Sequence, residues 1–256
     1  MKNIFDSHTH YDDKAFDEDR EQILAGLPAQ GICGVVNCGS DKKSSEDSLL
    51  LSDRFPFVFT ACGVHPHHAS QDDSVNFVKI LPVVTAAKKC VAIGEIGLDY
   101  HYDFAPRDVQ QSIFEAQLAL AVELDLPVVV HNREAHEDTL RLLEKYKPRG
   151  VMHCFSGSVE TAAIIVKFGM YIGLGGSVTF KNAKTPLDVA RFVPAERLLI
   201  ETDCPYMAPV PFRGKRCTSA FIPYTAEKIA ELRGVTAQDI LDLTAKNARE
   251  LFRITD

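Results

Sequence analysis

Eight short runs rich in β-branched and apolar residues recur along this chain, and their alternation with segments of another period limits what it can fold into. They are NIFDSHTH from Asn3, GICGVVNCG from Gly31, FVFTACGVHPH from Phe57, CVAIGEIGLD from Cys90, PVVVHNR from Pro127, GVMHCFSG from Gly150, MYIGLGG from Met170 and LLIETDCP from Leu198. Between them lie stretches of helical period. The clearest is Arg107 to Leu124, where Ile113, Phe114, Leu118, Ala121 and Val122 form an apolar stripe that only Gln117 interrupts, and Pro106 suits the first turn. From Pro223 through Phe252 the pattern is helical again, with Thr236 as the cap of a helix beginning at Ala237. Strands alternating with helices predict a parallel sheet with right-handed crossovers. Eight of them at this length predict an α/β fold, a (β/α)8 TIM-like barrel forming a single domain over residues 1–256. An open doubly wound sheet is the alternative. Against it, no Gly-x-Gly-x-x-Gly turn follows the first strand, which carries histidines instead.

The polar residues gain meaning on that scaffold. If Ile4 to His10 is a strand, Asp6, His8 and His10 share one face. Three titratable groups on an inward face are costly unless something binds them. His65 ends the third run, Glu95 lies late in the fourth, His131 ends the fifth, His153 lies in the sixth and Asp203 ends the eighth. In a barrel these strand ends converge on one rim, where barrel enzymes carry their chemistry. His67, His68, His101 and His136 fall outside the runs or at their edges and read as surface or rim groups.

Four imidazoles and two carboxylates at one mouth suffice for two divalent metal ions. His8, His10, Glu95 and Asp203 would hold one. Glu95, His131 and His153 would hold the other, with Glu95 bridging through its two oxygens. Two ions about 3.5–4 Å apart lower the pKa of a shared water and clamp the attacking and leaving oxygens of a phosphoester displacement. Imidazole-rich ligand sets favour Zn, Mn or Co over the hard Mg ion, though Mg stays open.

The motifs DSHTH, GVHPH, IGEIGLDY followed by APRDVQ, PVVVHNRE, HCFSG, GGSVTFKNA and ETDCPYMAPVPFRGKR occur in that order over nearly the whole length. In them the chain resembles the TatD family of metal-dependent deoxyribonucleases, within the amidohydrolase superfamily. The resemblance implies a distorted barrel with divalent metals at its mouth and nuclease action on DNA, often 3′→5′ on single strands, with magnesium the usual ion. Carried over residue by residue, it implies the same ligands: His8, His10, Glu95, His131, His153 and Asp203. Family members often read Pro-His-Arg-Gly-Lys-Arg-Asn-Glu-Pro after the aspartate motif. Here Phe212 replaces the histidine, and Cys217, Thr218 and Ser219 replace the last three. Phe212 either stacks on a base or packs under its loop.

Roles follow from charge. Asp203 and Glu95 are the expected catalytic carboxylates, Asp203 as the general base. Arg213, Lys215 and Arg216 form a basic cluster suited to phosphate, and His65 reads as a substrate group or a support for the ligands. Gly173, Gly175 and Gly176 follow the seventh run, where barrels often bind phosphate through backbone amides, or else serve tight turns. A net charge of −7 argues against a wide duplex-binding surface but leaves room for a strand end. No apolar run approaches the ~20 residues of a membrane span, and no basic-then-apolar leader opens the chain. The seven cysteines are an odd number. Six lie in apolar stretches as packed thiols, whereas Cys217 sits in a polar loop and reads as exposed. The combined expectation is a cytoplasmic phosphodiesterase on single-stranded DNA, with RNA as a further substrate and no protein partner. A hydrolase of small amides, esters or lactones is the alternative.

Overall fold

Each strand pairs in parallel with the next in the chain, giving one eight-stranded sheet in the order β1 to β8. The computed structural model describes residues 1–71 and 73–255. The strands are β1 (Ile4–Thr9), β2 (Ile32–Cys38), β3 (Val58–Cys62), β4 (Cys90–Asp99), β5 (Val128–Arg133), β6 (Gly150–Met152), β7 (Tyr171–Leu174) and β8 (Leu198–Ile200). Between them run α1 (Arg20–Gly26), α2 (Lys42–Arg54), α3 (Ser74–Val84), α4 (Arg107–Glu123), α5 (His136–Tyr146), α6 (Val159–Lys167) and α7 (Thr185–Phe192), and α8 (Ile222–Arg233) and α9 (Ala237–Phe252) close the chain. This is the expected (β/α)8 barrel. Among the described residues no helix is long and apolar enough to cross a membrane.

The apolar runs work because both faces of the sheet are covered. Phe5, Val36, Ala61, Ala92, Val129, Val151, Tyr171 and Leu199, one from each strand, join a buried cluster with Ala248, Leu251 and Phe252 of α9. Residues of the other parity, such as Ile4, Val35, Val58, Ile93, Val128, Met152, Ile172 and Leu198, pack in a second cluster with Leu24, Phe114, Leu118, Leu142, Ile165 and Ile229 from the helices.

Closure between β8 and β1 has no regular ladder among the described residues. A single bridge joins Thr9 to Cys204. The Asp203 N–H donates to the His8 carbonyl at 3.0 Å, and the His10 N–H donates to the Cys204 carbonyl at 2.8 Å. The Asp6 carboxylate stitches the same seam. It accepts from the Thr202 N–H at 3.0 Å, the Thr202 hydroxyl at 2.6 Å and the Ser219 hydroxyl at 2.7 Å. The reading that put Asp6 on one face with His8 and His10 is therefore corrected. Asp6 pairs with Val35 and Thr9 with Asn37, so three steps along β1 match two along β2, and this irregularity breaks the strict alternation.

The C-terminal helical stretch is two helices, divided at Gly234 with φ 67° and restarted by a capping box at Thr236 and Asp239. Ile113, Phe114, Leu118 and Ala121 of α4 are buried, but Val122 is 49% exposed. Each four-residue step along a helix advances about 40°, which carries Val122 off the face that Phe114 centres. Gln117 is no interruption. Its side chain accepts from the Val64 N–H at 2.7 Å and donates to the Val64 carbonyl at 3.1 Å, pinning the segment that carries His65.

Candidate metal centre at the barrel mouth

Glu95 organises the centre. It lies in the middle of β4 and is buried, with one oxygen facing each of two imidazole groups. Oε2 lies 3.3 Å from His8 Nε2 and 3.4 Å from His10 Nε2. Asp203 Oδ1 completes this first group, 3.7 Å from His8 Nε2 and 3.4 Å from His10 Nε2. Oε1 of Glu95 lies 3.0 Å from His131 Nδ1 and 2.8 Å from His153 Nε2 in the second. The His8 and His153 rings stack at 3.8 Å and join the groups.

The donor chemistry fits a cation. His8 and His10 bring their Nε2 atoms within 3.0 Å of each other. The Nδ1 of His10 lies 2.9 Å from the Cys38 carbonyl and so donates its hydrogen there, which aims the Nε2 lone pair into the group. His131 is set the same way, its Nε2 donating to Asp99 Oδ2 at 3.1 Å and its Nδ1 facing Glu95. Ligands about 2.0–2.2 Å from one ion in a tetrahedral array lie roughly 3.3–3.6 Å apart, and the first group's separations run from 3.0 to 3.7 Å around that range.

Charge tells the same story. Burial works to raise the Glu95 carboxyl, but His153, His65 and His8 around it hold it well below the usual carboxylate range. Burial likewise works to lower His10, yet Asp203 and Glu95 push its imidazole up to about 9. A buried and a half-buried carboxylate thus demand positive charge between the rings, supplied by protons or by a metal.

His65 meets Glu95 Oε1 at 3.5 Å, close enough to be counted with the second group. Its Nδ1, however, accepts the His67 N–H at 3.1 Å, so its Nε2 carries the hydrogen and donates to Glu95. Burial holds this imidazole neutral, its pKa lowered to about 3. His65 backs up Glu95 rather than offering a lone pair.

Two buried acids escaped the sequence reading. Asp99, at the end of β4, accepts from both His131 at 3.1 Å and His67 at 2.9 Å. Glu201, just past β8, takes the Cys154 N–H and, at 3.3 Å, the Ser7 hydroxyl, and lies 3.6 Å from His153 Nδ1. An acid inside or ending an apolar run was the available signal, the same one that marked Glu95. Gly173 makes room for Glu201, since any Cβ there would collide with its carboxylate, and Gly176 abuts the Met207 carbonyl. These glycines serve close packing rather than an open phosphate cradle.

The basic loop is divided. Arg213 lies over the Phe180 ring at 4.1 Å and is exposed, as is Lys215. Arg216 forks onto Asp19 at 2.9 and 2.5 Å and is committed there. Phe212 lies face to face with Phe221 at 4.4 Å and edge-on to Tyr224 at 5.0 Å, which is the packing alternative. Cys217 is buried, against expectation, because its N–H donates to the Pro205 carbonyl at 2.9 Å and folds the loop inward.

A parallel barrel with paired carboxylate–imidazole groups at its mouth is the frame of a metal-dependent hydrolase. The chain belongs to the TatD related DNase family, which it matches over residues 5–253. It is 41% identical to the metal-dependent hydrolase YabD of Bacillus subtilis over 256 residues, covering 98% of this chain and 99% of that protein. It is 36% identical over 259 residues to the 3′-5′ ssDNA/RNA exonuclease TatD of Salmonella typhimurium, covering 98% and 99%. The crystal structure of YJJV, a TatD homologue of Escherichia coli K12, superposes with a TM-score of 0.91 at 29% identity and covers 99% of both chains.

Proposed function

We propose that this enzyme is a divalent-metal-dependent phosphodiesterase that trims single-stranded DNA from its 3′ end and accepts RNA as well. The observation that carries the reading is Glu95, whose two oxygens face two separate imidazole groups. The relative named as a 3′-5′ ssDNA/RNA exonuclease supports the substrate class. His8, His10, Glu95 and Asp203 would hold one ion, and Glu95, His131 and His153 the second, with Zn or Mn better suited than Mg to the imidazoles. Such ions lower the pKa of a water and offset phosphoryl charge. Asp203 accepts the proton of the attacking water, and its carboxyl stays ionised because His10 and His8 outweigh the effect of its burial. Asp99 keeps His131 in one tautomer, while Glu201 backs His153 from the opposite side. Arg213 and Lys215 meet the phosphates of the strand.

The chain acts as one hydrolase barrel domain over residues 1–256. A cytoplasmic setting fits its seven free cysteines. Metal-reconstituted protein given end-labelled single-stranded and duplex oligonucleotides, beside a panel of small esters, lactones and amides, tests the reading. The expected result is stepwise shortening from the 3′ end of single strands. Turnover of the small substrates with intact oligonucleotides would establish the alternative hydrolase instead.

A further inference from the structure

The segment after β4 exposes two aromatic rings beside the mouth, and neither is used by the centre. Tyr102 is 49% and Phe104 66% exposed, yet the rings stack on each other at 5.3 Å with planes 19° apart. Side chains of this size left open to water give up burial worth having, so their position needs a reason. Their neighbours supply one. His67 meets Tyr102 edge-on at 5.3 Å and Phe104 at 4.9 Å, and His67 is itself 6.1 Å from the His131 ring. The Arg133 guanidinium lies 4.7 Å from the Tyr102 ring, exposed and paired with no carboxylate among the described residues.

The platform is rigid. The Asp99 carboxylate that receives His131 also accepts the N–H groups of His101 at 3.0 Å and Tyr102 at 2.9 Å. Gln110 ties the other end, donating to the Asp99 and Ala105 carbonyls at 3.1 and 2.8 Å. Tyr102 therefore hangs from the same carboxylate that orients His131, and Phe104 stacks on it. A π-face beside an unpaired guanidinium complements one kind of occupant, an unpaired base followed by its phosphate.

Resting on the nuclease reading, we propose that Tyr102 and Phe104 are a stacking subsite for a nucleobase of the single strand, with Arg133 taking the adjacent phosphate. Stacking accepts any base, so the subsite confers a preference for unpaired strands without sequence preference.

The test compares the parent with the Tyr102→Ala/Phe104→Ala double variant in the metal-loaded protein. Kd is read by fluorescence anisotropy on a labelled phosphorothioate oligodeoxynucleotide, and KM and kcat on its cleavable counterpart. Each strand is also made with abasic sugars in its last three positions. The expected result is a rise in Kd and KM of about tenfold to a hundredfold on the normal strand, kcat within about twofold, and little further loss on the abasic strand. Both side chains are exposed, so folding survives their truncation, and circular dichroism checks it. A variant that binds the normal strand like the parent, or that loses equally on both strands, overturns the subsite. A parent that shortens oligonucleotides but does not distinguish normal from abasic strands overturns the subsite alone. A parent that cleaves no oligonucleotide overturns the nuclease reading and the subsite with it.

Discussion

Asp203 sits in the left-handed backbone region at φ 58°, a conformation that costs a residue with a Cβ about 1–2 kcal/mol. Aspartate and asparagine tolerate it better than most residues, and here it lets the main chain cap β1 while Oδ1 reaches His10. Asp203→Asn is therefore expected to leave the backbone as it is. The amide keeps one oxygen for the metal group but cannot accept a proton. The expected outcome is a fall in kcat of roughly 10²-fold or more, with KM and metal content by plasma mass spectrometry near the parent values. Loss of the metal, or near-parent turnover, would remove Asp203 from the general-base role. At this scale the sequence was informative wherever a polar residue stood at the end of an apolar run, as with His131 and Asp203. It was silent on partners far along the chain. Nothing near Arg216 announces Asp19, and nothing near Cys217 announces that Pro205 will draw it inward.

Among the elements, the strands were the most legible, because buried parallel strands are written in β-branched residues while the helices between them are written in spaced ones. The irregularity in β1 was not legible. It arises from pairing with β2, and it separates Asp6 from the histidines that follow it. Asp6 became part of the seam instead, where burial pushes its carboxyl up to about 7 against the pull of Thr202 and Ser219. Asp6→Ala would leave the Thr202 N–H, the Thr202 hydroxyl and the Ser219 hydroxyl without their acceptor. The expected cost is about 2–4 kcal/mol, or a Tm lower by roughly 5–15 °C for a chain of this size. Thermal unfolding by circular dichroism reads it, and an unshifted Tm would show that the seam closes without Asp6. The same blindness applies to Gln117 in α4. Its polarity broke the stripe on paper, whereas in the molecule it fastens a neighbouring loop.

For the molecule as a whole, the concentration of acid and imidazole at one rim is expected to couple folding stability to metal. Prolonged chelation is expected to abolish activity while leaving the far-ultraviolet spectrum of the barrel unchanged, because the strand and helix clusters do not depend on the ions. Adding Mn or Zn back should raise Tm with ion concentration, gaining about 2.7 kcal/mol at a hundredfold excess over Kd. A Tm indifferent to ion concentration would separate the centre from stability. The seam between β8 and β1 has one more consequence, which concerns synthesis. A ribosome delivers the second group's residues, Glu95, His131 and His153, before β8 exists, and neighbouring strands bring them together. The first group waits. His8 and His10 are made almost at once, but Asp203 reaches them only when the last strand docks across the opening. The candidate ligands made first are thus the last to be completed, and a polypeptide interrupted before Asp203 cannot assemble the pair.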